Sequence, residues 1–205
     1  MNICVAGWYF TPGFMRALEA SPHRIFVVKH REGETGGLPS ALVPNIGLEF
    51  GCYDWYLKKE WDSRSGVLFI HDDTRIEDRT LADIESLQFK AGGIDHAFIF
   101  RDEWEAIGND WAHGRAIWAS ARLLTELLKM GGFPFDASNR GNTSNNLENK
   151  GIRAYVERVA RIKGNKAIAI VPTLQSGRRG EISDQVCVYT HAATMIEDGV
   201  ATVVR

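Results

Sequence analysis

The sequence contains no apolar run that approaches the roughly 20 residues needed for a membrane-spanning helix. Its first residues, Met1 to Gly7, lack the basic segment and the extended apolar stretch of a secretion signal. With 24 lysines and arginines against 26 aspartates and glutamates, the chain also lacks the positive charge that draws proteins to nucleic acids or anionic membranes. These absences predict a soluble, cytoplasmic protein without a membrane span.

Cysteine is scarce as well. Cys4, Cys52 and Cys187 are scattered along the chain, and no two of them have the C-x-x-C spacing. An odd number of cysteines without that spacing argues against a disulfide framework or a zinc ribbon. We therefore expect three small, buried apolar side chains.

The 205 residues, 44% of them hydrophobic, suit one domain with a full-sized core. Short apolar runs alternate with segments of helical periodicity, which predicts an α/β sheet that is parallel in its first half. The predicted strands are 3–6, 25–28, 67–70, 97–100, 167–171, 186–190 and 201–204. The predicted helices begin at 12 and 78 and cover 48–59, 115–130 and 151–163, and 33–44 reads as a connection.

Two adjacent carboxylates, Asp72 and Asp73, follow the buried strand 67–70 after His71. Ligands of open α/β sheets bind at the carboxyl ends of strands. Neighbouring carboxylates repel each other unless a cation lies between them, and hard cations such as Mg²⁺ and Mn²⁺ prefer oxygen ligands. The pair therefore indicates either a metal–diphosphate site or a turn whose aspartates point into water.

A second segment runs from Asn45 to Gly51, upstream of the acidic pair. Its glycines predict a tight turn into a helix N-terminus, where backbone N–H groups favour anions. Asn45 and Glu49, which lie on either side of Gly47 in the sequence, could accept hydrogen bonds from ribose or sugar hydroxyls. The alternative is a turn followed by a helix in which Glu49 merely suits the helix dipole.

Together, the two segments resemble the nucleotide-binding half of GT-A glycosyltransferases. The run Asn45 to Glu49 is similar to the Asn-x-Gly-x-Glu element of small, rhamnan-synthesis-like members. The resemblance implies one GT-A-like nucleotide-diphospho-sugar transferase domain over 1–205, with a mixed, largely parallel sheet flanked by helices. Residues 1–80 would form the donor half and 81–205 the acceptor half.

The resemblance further implies a metal-dependent enzyme that moves a sugar from a nucleotide-diphosphate donor to an acceptor. Asp73, Asp72 and His191 would hold Mn²⁺ or Mg²⁺. The acceptor is left open among a saccharide, a lipid-linked intermediate, a protein and a modified nucleic acid, and so is the oligomeric state.

In the second half, Gly131 to Asp136 is similar to the Gly-Gly-Phe-Asp segment that lines the acceptor site of many inverting members. By the same resemblance, Glu148 would be the general base that takes the proton of the acceptor. Asp102, Glu103 and Asp110 are rival candidates for that role.

Five further residues are candidates for contacts with the donor, and four of them also have a simpler structural interpretation. Trp8 and Tyr9 would stack on a nucleobase, unless they pack in the core with Phe10. Arg178 and Arg179 would bind the departing diphosphate, unless they lie on a solvated loop. His71 is taken with the donor site because it precedes the acidic pair.

The end of the second strand, Lys29 to Glu32, departs from the resemblance, because many members have a carboxylate for the base there. Lys29 and Arg31 could contact phosphate, but we expect both at the surface.

Two other functions remain open. A non-catalytic module would bind a nucleotide sugar without turning it over. An Fe(II)/2-oxoglutarate oxygenase would use His71, Asp73, His191 and Arg205, but it needs a double-stranded β-helix, which the predicted helices disfavour.

Overall fold

A computed structural model describes residues 1–72, 75–76, 95–99, 116–135, 137, 154–155, 157–159, 161–164, 167–175, 186–197 and 200–204, with backbone alone for 75–76, 97–99 and everything from 167 onward. The strands are β1 (Asn2–Gly7), β2 (Arg24–Lys29), β3 (Ser40–Leu42), β4 (Val67–His71), β5 (Arg75–Ile76), β6 (His96–Ile99), β7 (Ala116–Ala119), β8 (Ala167–Gln175), β9 (Val186–Glu197) and β10 (Val200–Val204). The helices are α1 (Pro12–Glu19), α2 (Leu48–Lys59) and α3 (Ala121–Lys129).

The described strands form one mixed, ten-stranded sheet in the order β10-β9-β8-β6-β7-β4-β1-β2-β3, with β5 paired to β9. β1 is parallel to both β2 and β4, and β2 is parallel to β3. The expected α/β class and the parallel first half of the sheet are therefore confirmed. The chain moves outward from β1 to β3 and then returns to the other side of β1, which makes the β1/β4 boundary a topological switch point.

The core lies on both faces of this sheet, because alternate residues of each strand point in opposite directions. On one face, Cys4 and Phe69 pack with α2 and α3, whose buried side chains include Tyr53 and Leu124. On the other face, Leu68 joins a cluster completed by the apolar stripe of α1. The flanking helices are held to the sheet by these two clusters.

Most of the predicted elements are present at or near their expected bounds. α2 begins and ends where the sequence predicted, and residues 154–155 and 157–159 are helical within the predicted helix 151–163. β8 and β9 are longer than expected, and the connection 33–44 contains β3. Among the described helices, none is long and apolar enough to cross a membrane.

The predicted helix 115–130 is wrong in its first part. Ala116 to Ala119 form β7, which is antiparallel to both β4 and β6 and is buried on both faces. The helix begins only after Ser120, whose Oγ accepts a hydrogen bond from the Leu123 N–H at 3.1 Å. Burial between two strands has overridden the helical spacing of the apolar residues.

Candidate functional site

The carboxylate of Asp72 joins the ends of β4 and β1 across the switch point. Asp72 is only 1% exposed. Its Oδ2 accepts hydrogen bonds from the backbone N–H groups of Trp8, Tyr9 and Phe10 at 2.8, 2.6 and 2.8 Å. We call these three residues the aromatic loop. Of the two interpretations of the acidic pair, the one in which Asp72 points into water is therefore wrong, because its carboxylate is an internal anchor.

The second oxygen of Asp72, Oδ1, is buried and has no hydrogen-bond partner within the described residues. Burial raises the pKa of Asp72, against the lowering effect of the three N–H groups of the aromatic loop. A buried carboxylate oxygen that is left over in this way is chemically suited to a hard cation.

The rest of the implied metal site lies outside what the structure describes. Asp73 is outside the described residues, and only the backbone of His191 is described, within β9. Among the side chains that are described, no group of three or more His, Cys, Asp or Glu residues could hold a metal ion. The assignment of Mn²⁺ or Mg²⁺ to Asp72, Asp73 and His191 stays a prediction.

The aromatic loop presents two rings to solvent and buries the third. Phe10 is 9% exposed and adopts a left-handed backbone with φ of 56°. Its ring lies so close to Gly33 that a Cβ there would come within 2.1 Å of it. Trp8 and Tyr9 are 40% and 42% exposed. The interpretation as core packing therefore holds for Phe10 and is wrong for Trp8 and Tyr9.

Lys29, the last residue of β2, and Arg31, two residues later, behave differently. The Arg31 guanidinium is exposed, as expected, and its Cζ lies 5.2 Å from the ring centroid of Trp8 and 6.0 Å from that of Phe10. Lys29, expected at the surface, has a side chain that is only 14% exposed. Its Nζ donates to the Gly33 carbonyl at 3.1 Å and lies 3.8 Å from Glu32. Lys29 therefore fixes the β2–β3 connection.

The predicted turn into a helix N-terminus is present at the carboxyl end of β3. Gly47 stands at the N-cap of α2 with φ of 79°, a conformation that favours glycine. Gly51 faces the Ile46 carbonyl so closely that a Cβ would lie 1.9 Å from its oxygen. The glycines of this segment are thus required by the turn itself.

Asn45 and Glu49 flank that turn. The Asn45 side-chain oxygen is buried and has no partner within the described residues. Glu49 is partly buried in the first turn of α2. These positions are compatible with contacts to a bound polar group, and the assignment of either residue to a sugar hydroxyl remains a prediction.

Sequence reasoning missed His30 and Cys52. The His30 Nε2 lies 2.8 Å from the Leu48 carbonyl oxygen and 3.2 Å from the Cys52 Sγ. A carbonyl oxygen only accepts, so that Nε2 donates to Leu48, and the other ring nitrogen, Nδ1, is buried without a partner in the described part of the chain. The sequence feature that could have indicated His30 is its position as a polar residue directly after a buried strand.

Cys52 shows how closely the site residues gather. Burial raises the pKa of the Cys52 thiol, and the negative charges of Glu49 and Asp72 raise it further. Both carboxylates are therefore within electrostatic range of one sulfur. Cys4 and Cys52 are free, buried thiols as expected, whereas the side chain of Cys187 lies outside the described residues.

Three buried polar atoms without hydrogen-bond partners in the described residues follow parallel strands that lie on both sides of β1: His30 Nδ1 after β2, Asn45 Oδ1 after β3 and Asp72 Oδ1 after β4. A buried polar atom without a partner costs about 1–3 kcal/mol, and native folds contain few of them. Their grouping at the carboxyl ends of these strands makes this edge of the sheet the candidate site.

The described part of the acceptor segment packs against α2. Gly131 and Gly132 follow α3 with φ of 97° and 91°, next to the predicted helix end at 130. The Phe133 N–H donates to the Asp54 Oδ1 at 3.0 Å, and the Phe135 ring lies against Gly47. This segment therefore reaches the turn that begins α2, beside the aromatic-loop edge of the sheet.

The remaining candidates are distributed as follows. His71 is partly buried, with its ring centroid 6.4 Å from that of Tyr53. Outside the described residues lie the predicted bases Glu148, Asp102, Glu103 and Asp110, the cations Arg178 and Arg179, Asp136, and the predicted helix that begins at 78. Their assignments stay predictions.

No protein-family model matches the chain, and no curated protein is significantly similar to it in sequence.

Proposed function

We propose that this chain binds a nucleotide-diphosphate sugar at the carboxyl ends of β1 to β4 and transfers the sugar to an acceptor. The observation that carries the proposal is the Asp72 anchor. One buried carboxylate fixes three backbone N–H groups so that Trp8 and Tyr9 stand exposed at the switch point. Pre-organised aromatic rings at this position suit the stacking of a nucleobase, which is worth about 1–3 kcal/mol per base.

The neighbouring residues supply the other contacts of such a ligand. Asn45 and Glu49 would accept hydrogen bonds from its hydroxyl groups, beside the first turn of α2. Asp73, with the spare oxygen of Asp72, would hold Mn²⁺ or Mg²⁺, which neutralises a diphosphate when bound. Glu148, or Asp102 in its place, would take the proton of the acceptor.

A non-catalytic nucleotide-sugar-binding module is the second candidate, and one observation favours it. The Asp72 Oδ2 is fully occupied by the aromatic loop, so that this residue has at most one oxygen for a metal ion. The fold disfavours the oxygenase alternative, because a mixed sheet with a parallel half and flanking helices is not a double-stranded β-helix.

Binding is tested first by thermal shift and calorimetry with UDP, GDP, CMP, dTDP and their sugars, with and without Mn²⁺. A ligand present at 100 times its dissociation constant stabilises the native state by about 2.7 kcal/mol. We expect Trp8→Ala to weaken binding by about tenfold. Met130→Ala is the control, because Met130 is similarly exposed, at 39%, at the end of α3. The absence of any shift, or equal effects of the two substitutions, would contradict the proposal.

Turnover separates the enzyme from the binding module. Hydrolysis of the bound nucleotide sugar in the presence of Mn²⁺ would establish catalysis, and Asp73→Ala should abolish its metal-dependent part. Glu148→Gln should lower transfer by about 10²–10⁴-fold with little effect on donor binding, if Glu148 is the base. Binding without hydrolysis under any of these conditions would establish the module instead.

A further inference from the structure

Arg31 occupies a defined place above the aromatic loop. Its guanidinium carbon lies 5.2 Å from the ring centroid of Trp8 and 6.0 Å from that of Phe10. Phe10 is held in the core, and the backbone of both aromatic residues is tied to Asp72. Arg31 therefore lies at the surface beside two rings, of which that of Phe10 is buried and that of Trp8 is exposed on an anchored backbone.

The charge of Arg31 is not neutralised by the protein in the part of the chain that the structure describes. The adjacent carboxylate, Glu32, lies 3.8 Å from the Nζ of Lys29 instead. Lys29 is further committed to the Gly33 carbonyl. Lys29 is thus committed within the protein, whereas Arg31 is available to a ligand.

The hydrogen-bond donors of the Arg31 side chain have no partner within the described residues, so that they are free to act. A guanidinium that lies on an aromatic ring uses its face, whereas its N–H groups point outward in the plane of the group. Those N–H groups match the geometry of two phosphate oxygens. A compact ammonium, such as that of lysine, provides neither the stacking face nor the paired donors.

We propose that Arg31 binds a phosphate group of a nucleotide whose base stacks on Trp8 and Tyr9. This inference rests on the proposed function, since it takes the aromatic loop as the base platform. Trp8 and Tyr9 would bind the base of a nucleotide, and Arg31 would bind its phosphate group. The guanidinium distinguishes nucleotides from nucleosides at this face.

The test is calorimetry at constant ionic strength, without metal ions, with uridine, UMP, guanosine, GMP and inorganic pyrophosphate. The proteins are wild type, Arg31→Ala, Arg31→Lys and Arg64→Ala. Arg64 is the matched control, because it is an exposed arginine just before β4, at the opposite edge of the sheet. For each protein, the quantity compared is the ratio of its affinity for a nucleotide to its affinity for the corresponding nucleoside.

We expect Arg31→Ala to weaken nucleotide binding by at least about tenfold while nucleoside affinity changes by no more than about twofold. Arg31→Lys should restore only part of the loss, and Arg64→Ala should behave as wild type. Equal losses for nucleoside and nucleotide would overturn the proposal, because Arg31 would then only support Trp8. Unchanged nucleotide binding in Arg31→Ala would overturn it too.

The pyrophosphate arm separates this inference from the proposed function. If wild type binds neither nucleosides nor nucleotides, but binds pyrophosphate through Arg31, the anion subsite stands and the nucleotide function fails. If wild type binds none of the five probes, both proposals are wrong.

Discussion

Replacing Asp72 by alanine should both destabilise the protein and release the aromatic loop. The substitution removes the acceptor of three backbone N–H groups at once, at distances of 2.6 to 2.8 Å. It introduces no bulk, so that the effect reports the lost anchor. Asp72→Asn retains the shape and one oxygen, and it provides the comparison between loss of charge and loss of the acceptor.

The magnitude follows from the burial of the donors. The Phe10 N–H is buried, and leaving it without an acceptor costs about 1–3 kcal/mol. The N–H groups of Trp8 and Tyr9 are partly buried, and each adds about 0.5–1 kcal/mol because water replaces the carboxylate only in part. We therefore expect Asp72→Ala to lower the free energy of unfolding by about 2–5 kcal/mol.

The asparagine should be milder. The raised pKa of Asp72, caused mainly by burial, shows that the fold disfavours the charged form relative to water. The neutral asparagine side chain avoids the cost of burying a charge. We therefore expect Asp72→Asn to lower the free energy of unfolding by about 1–2 kcal/mol. The order alanine, then asparagine, then wild type is the signature of an anchor that acts through hydrogen bonds.

Urea unfolding of the three proteins measures these values, and Asp62→Ala is the control. Asp62 also accepts backbone N–H groups, from Arg64 and Ser65, but it does so in an exposed turn. Its loss should cost less than about 1 kcal/mol. A cost for Asp72→Ala as small as that of Asp62→Ala would refute the reasoning that this carboxylate holds the loop.

Three further predictions concern the scaffold. Gly51→Ala should destabilise by about 1–3 kcal/mol in thermal unfolding, because the new Cβ would meet the Ile46 carbonyl oxygen at 1.9 Å, whereas Gly13→Ala, with no atom within 4 Å, should be neutral or slightly stabilising. Ser120→Ala should cost about 1–2 kcal/mol in urea unfolding, since it removes the N-cap of α3; no loss would mean that the cap is dispensable. Burial lowers the pKa of His96 from 6.5 to about 3, so that the unfolded chain binds the proton first as the pH falls. Stability should therefore decline by roughly 1.4 kcal/mol per pH unit between pH 6.5 and 3 on this account alone, and His96→Asn should show a shallower decline in unfolding measured across that range.

Much of the fold could be predicted because local and tertiary signals agree in β1, β2, β4 and α2. Disagreement occurs at Ala116 to Ala119, where apolar residues continue the spacing of the following helix but are buried on both faces between two strands. Periodicity alone cannot distinguish these cases. The local clue was Ser120, a preferred N-cap residue, which lies five positions after the start of the predicted helix. β3 was missed because its three residues depend on β2 for pairing.

The site was predictable in its position but not in its contacts. The rule that ligands bind at the carboxyl ends of strands placed Asp72 and Asn45 at one edge. It gave no means of knowing that the Asp72 carboxylate would meet the backbone after β1, because that contact depends on strand order. The contact of His30 depends in the same way on α2, whose Leu48 carbonyl accepts a hydrogen bond from Nε2. Side chains that act through distant backbone groups leave no pattern in the sequence.

The Asp72 anchor also sets an order of events during synthesis. Asp72 lies 62 to 64 residues after the N–H groups that it holds. A nascent chain that has released β1, β2, β3 and α2 from the ribosome still lacks the residue that fixes Trp8 and Tyr9. Because contacts so distant in sequence form only after the intervening chain has been closed into a loop, the aromatic face is completed late. An unfinished chain therefore lacks the ordered aromatic loop, and under the proposed function a ligand would bind only after β4 has docked beside β1.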